Sequence, residues 1–176
     1  MSEITVRPLG EEDWQDYRAV RLEALRESPD AFAATVEEEE SFDESQWRER
    51  MKRSARLVAE SNGAPVGVVS IGKASSEEDA LAGELFGLWV KPELRGKGVA
   101  TRLVNNGAAL ARNRGQSHLY YWVGTDNGRA VAFASGMGFR PTDSRRPMGV
   151  KSEVDGDEEI AMVLPLGEDK GAVFGA

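Results

Sequence analysis

Residues 88–100 read Leu88-Trp89-Val90-Lys91-Pro92-Glu93-Leu94-Arg95-Gly96-Lys97-Gly98-Val99-Ala100. The stretch opens as the end of an apolar strand running from Glu84 to Val90, and Pro92 stops it because proline cannot donate to a ladder. A short cationic loop follows, and then a helix. Val99, Ala100, Leu103, Val104, Ala108, Leu110 and Ala111 fall on one apolar helical face. The first turn of a helix has unpaired N–H groups and a partial positive charge, so it attracts anions. Gly96 and Gly98 permit unusual dihedrals and close approach to the backbone, and Arg95 and Lys97 add formal charge. Together these features suit a pyrophosphate. The loop is not a Walker loop, which needs Ser or Thr where Gly98 follows Lys97. Nor is it the dinucleotide fingerprint, whose third glycine is replaced by Thr101. Spacing alone fits equally a strand-to-helix turn punctuated by glycines.

Outward from this stretch the pattern alternates between helical and extended. Ile4-Thr5-Val6 reads as a short strand and Gly10 to Asp13 as a helix start. Trp14, Tyr17, Arg21, Leu22 and Leu25 follow at helical spacing, with Pro29 as the stop. Asp43 and Gln46 form a capping box before Trp47 and Met51, and Glu37 to Glu40 lie between the two helices. Arg56 to Glu60 and Pro65 to Ile71 read as a hairpin around Ser61-Asn62-Gly63. A polar loop, Ser75 to Gly83, precedes the third strand. Leu119 to Val123 is an aromatic strand, and Ala130, Val131, Phe133, Ala134 and Met137 mark a short helix. Phe139-Arg140 and Glu159 to Leu166 close the pattern as two strands around Asp155-Gly156-Asp157. The expected order, βααβββαβαββ, predicts an α/β (α+β) fold with one sheet covered by helices.

The chain has 176 residues, which predicts one domain over residues 1–166 and a flexible tail over 167–176. With no cysteine it has no disulfide, thiolate nucleophile or cysteine-ligated metal. Lys and Arg number 22 against 30 Asp and Glu, a net charge of −8, which argues against nucleic acid, whose binders usually carry a basic face. Neither a signal peptide nor an apolar run of spanning length is visible, so no membrane is expected and a soluble, cytoplasmic protein is.

Three motifs in register carry a resemblance. Arg95-Gly96-Lys97-Gly98-Val99-Ala100 resembles the (Q/R)-x-x-G-x-(G/A) signature of the GNAT family of N-acetyltransferases, and Val90-Lys91-Pro92 its V-x-P lead-in. Asn127-Gly128-Arg129-Ala130 resembles the family's N-x-x-A, and Gly138-Phe139 its closing G-F. The resemblance implies a mixed, mostly antiparallel central sheet in which the strand before the signature carries a bulge and splays from its neighbour. The gap would receive the pantetheine arm of acetyl-CoA on the backbone of Leu88, Trp89 and Val90. Backbone N–H groups of Arg95, Gly96, Lys97, Gly98, Val99, Ala100 and Thr101 would hold the pyrophosphate, and Asn127 would contact the CoA arm. The implied reaction moves the acetyl group directly to a primary amine of a small molecule or a protein, with no metal. Homodimers are common in the family, and nothing in the sequence decides that state.

For the proton work, Glu84 is the expected base, because it stands six residues before Val90, where the histone-acetylating branch of the family places a glutamate. The other reading is a solvated strand-end carboxylate. Most family members place a tyrosine seven residues after the Asn of N-x-x-A, but this chain has Ala134 there. Tyr120 or Tyr121 is the remaining candidate acid, and strand alternation allows only one of them to face a cleft. His118, the only histidine, reads as an ordinary surface residue. Glu37 to Glu40 read as a solvated face, and Trp14, Trp47 and Phe32 as packing residues near the acceptor. Trp89 and Trp122 read as packing anchors rather than readers of substrate. The alternative function, supported by Ala134, is a non-catalytic acyl-CoA sensor. The acceptor is not named by the sequence.

Overall fold

The computed structural model describes residues 3–74, 81–147 and 158–167. Its twelve regular elements in chain order are β1 (Ile4–Leu9), α1 (Trp14–Glu27), α2 (Val36–Glu40), α3 (Glu44–Arg53), β2 (Ala55–Ser61), β3 (Ala64–Lys73), β4 (Ala82–Val90), α4 (Val99–Asn113), β5 (His118–Gly124), α5 (Gly128–Gly136), β6 (Arg140–Pro147) and β7 (Glu158–Pro165). The order differs from expectation by one short helix, α2, in which Thr35 Oγ1 accepts from Glu38 N and so starts a turn from the acidic run. The loop expected from Ser75 falls largely outside the described residues, as do the Asp155-Gly156-Asp157 turn and the tail beyond Gly167.

Local chemistry sets several boundaries. Asn62 and Gly63, with φ of 53° and 79°, reverse the chain between β2 and β3. At α3, Asp43 Oδ1 accepts from Gln46 N while Gln46 Oε1 accepts from Asp43 N, both at 2.9 Å. The strands form one sheet in the order β1-β2-β3-β4-β5-β7-β6. Only the β4–β5 pair is parallel. Period-two alternation divides the core between its faces. Leu57, Val69, Leu85 and Val90 pack with Leu103, Val104 and Ala111 of α4. Val58, Val68 and Trp89 pack on the other face with Tyr17, Leu25 and Trp47 of α1 and α3. No helix among the described residues is long and apolar enough to cross a membrane.

Two irregularities open the sheet at its centre. Val68 pairs with Trp89 and Ser70 with Phe86, so Val69 faces both Gly87 and Leu88. That extra residue is a β-bulge, and Gly87 takes a left-handed φ of 64° that a side chain would resist. Past the bulge β4 loses β5: their pairing runs from Ala82↔His118 to Leu85↔Tyr121 and no further. β5 meanwhile continues along β7 to Gly124. The strands therefore diverge between Phe86–Val90 and Trp122–Gly124, as the expected splay requires.

Candidate active site

At one end of the gap, β4 delivers the chain through Pro92 to α4. Gly96 and Gly98 adopt φ of 78° and 84°, and a Cβ on either would meet nothing within 4 Å. These glycines are needed for backbone conformation, and the space above them stays open. Gly98 is the N-cap of α4, whose ladder begins with Arg102 N donating to Gly98 O at 3.1 Å. The N–H groups of Val99, Ala100 and Thr101 thus lie ahead of the ladder, and the first turn carries no acidic residue. The loop borders a cavity of about 310 Å³ lined also by Val90, Leu94 and Phe133. Arg95 is more committed than the sequence implied. Its N–H donates to Pro92 O at 3.3 Å, its Nε to Val90 O at 3.0 Å and its Nη2 to Ser28 Oγ at 3.3 Å. Lys97 is exposed.

Along the gap, backbone direction alternates. Lys91 N donates to Val66 O at 2.8 Å, and the Trp89 carbonyl lies 3.0 Å from where a Cβ of Gly67 would stand. Trp89 and Lys91 therefore face β3, and alternation turns the backbone groups of Leu88 and Val90 toward the gap. The Trp89 side chain is buried on the α1 face, with Nε1 donating to Ser28 Oγ at 3.3 Å.

At the other end lies a cavity of about 210 Å³ lined by Ala31, Phe32, Glu84, Leu85, Phe86, Gly87, Leu88, Tyr121, Trp122, Arg146 and Glu159. Glu84 Oε1 is buried with no hydrogen-bond partner, and Trp122 lines the cleft beside it. Burial pushes the Glu84 pKa above the ordinary carboxylate value. The Arg146 charge and Trp122 pull it partly back, and Glu159 adds to the rise. The Arg146 guanidinium sits 4.2 Å from the Trp122 ring centroid, with Nε 3.5 Å from Glu159 Oε1. Of the two tyrosines, Tyr121 lines this cavity and Tyr120 does not. Burial raises the Tyr121 pKa, and its ring meets Phe139 edge-on at 6.0 Å.

The remaining candidates stand apart from this cleft. Asn127 caps α5, its Oδ1 accepting from Ala130 N at 3.1 Å, and is exposed. Ala134 is fully buried in the core. His118, 2.9 Å from Ser117 Oγ, opens β5 at the end opposite the gap. No group of His, Cys, Asp or Glu among the described residues could hold a metal.

Two expectations change. The acidic run is not a uniformly solvated face: Glu39 is buried and takes Arg21 Nε and Nη2 at 2.9 and 3.0 Å and Arg50 Nη1 at 2.8 Å. Burial alone would raise its pKa, but the two guanidinium groups outweigh that and hold it below the ordinary value. Trp122 is not only a packing anchor, because it lines the cleft and carries the Arg146 guanidinium on its ring. Arg146, Glu159 and Phe86 were missed as site residues. They meet only through the sheet register, in which Arg146 pairs with Glu159 and β7 lies beside β5.

Comparison with known proteins agrees with this geometry. The Acetyltransferase (GNAT) family model matches residues 17–139. An uncharacterised N-acetyltransferase of Methanocaldococcus jannaschii is 29% identical over 139 residues, 77% of this chain and 60% of that protein. The chain thus spans about three-fifths of that relative's length. Among solved structures, a GNAT-family acetyltransferase from Streptococcus pneumoniae superposes with a TM-score of 0.75 at 19% identity, over 94% of this chain and 100% of that one. The YncA protein of Salmonella typhimurium, solved with its cofactor acetyl-CoA, gives 0.70 at 19% identity over 94% and 95%. With the matched region covering well over half of its length, and with a bulged strand, a glycine cradle and a splayed sheet at its centre, the chain belongs to the GNAT family of acetyltransferases.

Proposed function

We propose that the protein transfers an acetyl group from acetyl-CoA directly to a primary amine, with Glu84 as general base. The observation that carries the reading is Glu84 Oε1, buried and without a hydrogen-bond partner on a cleft that opens beside the splayed strand. An unsatisfied buried carboxylate oxygen is costly, and a donor supplied by substrate or by one water relieves it.

The chain's own residues suit each part of the cosubstrate. Val99, Ala100 and Thr101 present N–H groups to a pyrophosphate over an open glycine surface, with no carboxylate in the first helical turn to repel it. Leu88 and Val90 offer backbone groups to the amides of the arm in the manner of an added strand. Val90 O exchanges Arg95 Nε for that partner. From Val90 to Glu84 is six residues, roughly 20 Å of strand. The thioester end of the arm is thereby directed to the bulge, beside Glu84. There Glu84 removes a proton from the acceptor ammonium, directly or through one water. The neutral nitrogen attacks the thioester carbonyl carbon, the C–S bond breaks, and CoA leaves as its thiolate. Tyr121 or water returns a proton to the sulfur. The reading needs no covalent enzyme intermediate, and the chain has no cysteine to form a thioester.

The test is thiol release from acetyl-CoA across a panel of amines, with CoA-induced thermal stabilisation measured in parallel. Amine-dependent release supports transfer. Stabilisation by CoA without release from any amine points to an acyl-CoA sensor. Neither signal overturns the cradle and the reading together.

A further inference from the structure

We propose that the face of Trp122, between Glu84 and Glu159, is a subsite for a second positive charge on the acceptor, and that Arg146 fills it in the free protein. The acceptor is then a small amine whose aliphatic stem carries a further cationic group. This inference rests on the transfer reading above and names the substrate class for that same cleft.

Four side chains build the subsite. Trp122 lines the cleft with Glu84 and presents its ring face to the Arg146 guanidinium 4.2 Å away. Glu159 Oε1 lies 3.5 Å from Arg146 Nε. A cation is therefore already seated on an indole between two carboxylates, an arrangement that attracts ammonium groups generally. The rest of the lining is aromatic or aliphatic, with Phe32 and Phe86 as walls for a methylene stem. Arg146 is only loosely held. Its side chain is 42% exposed and it lies next to a register shift in β6, which pairs with β7 at the end of the sheet order. Exposed ion pairs exchange readily for a ligand that makes the same contacts. An anionic acceptor finds no comparable invitation. Two carboxylates, Glu84 and Glu159, line the cleft against one cation, Arg146, and nearby Arg21 is bidentate on Glu39. The net charge of −8 steers cations toward the protein.

Three four-carbon acceptors separate the possibilities: butylamine, putrescine and γ-aminobutyrate end in a methyl, an ammonium and a carboxylate. Putrescine should exceed butylamine in kcat/KM by about tenfold, with γ-aminobutyrate poorest. Arg146→Ala should widen the putrescine-to-butylamine ratio further, and Trp122→Leu should collapse it. Equal rates for putrescine and butylamine overturn the proposal. So does a preference for γ-aminobutyrate that vanishes in Arg146→Ala, which would make Arg146 a carboxylate reader. Tetramethylammonium binding, measured by calorimetry, gives an activity-independent reading. Tighter binding to Arg146→Ala than to the parent, lost again in Arg146→Ala/Trp122→Leu, supports the subsite even if transfer itself fails, and unchanged binding refutes it.

Discussion

Replacing Glu84 by glutamine preserves side-chain volume and a carbonyl oxygen as acceptor, but removes the site that takes a proton. The acceptor amine has an ordinary pKa of ~10.4, so at neutral pH its attacking form costs about 4–5 kcal/mol to reach. A positioned base typically contributes roughly 10²–10⁴-fold. At pH near 7 the Gln variant should therefore lose about that factor in kcat/KM while keeping its acetyl-CoA affinity. The pH dependence discriminates further. Without a base the amine must arrive neutral, so the variant's rate should climb about tenfold per pH unit until the amine's own pKa. The parent's rate should level off once Glu84 is ionised, and the two curves should converge in the alkaline range. Because burial and, to a smaller degree, the Glu159 charge raise the Glu84 pKa, the parent's acid limb should lie above the ordinary carboxylate value. The assay is thiol release at saturating acetyl-CoA across the pH range, with CoA affinity measured separately. Two curves offset by a constant factor, or no loss at all, would refute the assignment.

The same shift predicts an opposite effect on stability. A carboxyl whose folded pKa is raised favours the fold while protonated, and that contribution is lost as pH rises through the folded value. Ionised Glu84 therefore works against folding at neutral pH. The Gln variant should melt higher than the parent near neutrality, with the difference closing in acid.

Glu39→Gln removes the carboxylate from between Arg21 and Arg50 and should cost about 3–5 kcal/mol, or roughly 6–20 °C in Tm, read by thermal and urea melts. The Glu39 pKa is depressed in the fold, so its contribution is present above the unfolded value and lost as pH falls through the folded one. The variant's stability should accordingly respond less to acid than the parent's. Gly98→Ala meets no atom within 4 Å but forces a side chain onto φ +84°, and should cost about 1–2 kcal/mol without a clash. Gly98→Glu adds a carboxylate at the mouth of α4 and should weaken CoA binding well beyond the Ala control in calorimetry. Asp43→Ala removes the α3 cap and should lower stability by about 1 kcal/mol while leaving kinetics alone.

Much of this fold is written in short-range chemistry. The Asn62-Gly63 reversal, the Asp43/Gln46 box and the apolar stripe of α4 each depend on residues within a few positions of one another, and each stands where the sequence placed it. The glycine loop was legible for the same reason. Glu39 was not: inside a run of four glutamates nothing marks the one that turns inward, and its partners arrive from α1 and α3. Nor was the cleft beyond Glu84. Arg146 reaches Trp122 only because β7 lies between β5 and β6 and the register shifts near Arg145. Alternation limited the choice between Tyr120 and Tyr121, and Tyr121 is the one that borders the cleft.

The bulge at Gly87 explains how one strand serves two different tasks. Before it, β4 pairs with β5, and that pairing removes Glu84 from water and raises its pKa. After it, β4 has no partner on that side, so the backbone groups of Leu88 and Val90 remain available to an added strand. A continuous ladder would have kept Glu84 dry but closed the gap, while an earlier divergence would have opened the gap and solvated the carboxylate. The extra residue must therefore fall between residues 84 and 88, and it must accept the left-handed φ of 64°. A side chain at 87 would face that strain without a clash, since its Cβ would stand in ordinary contact, 3.7 Å from Ser70 Oγ and 3.9 Å from Arg21 Nη1. The position of one glycine thus bears both on the burial of Glu84 and on the opening between β4 and β5.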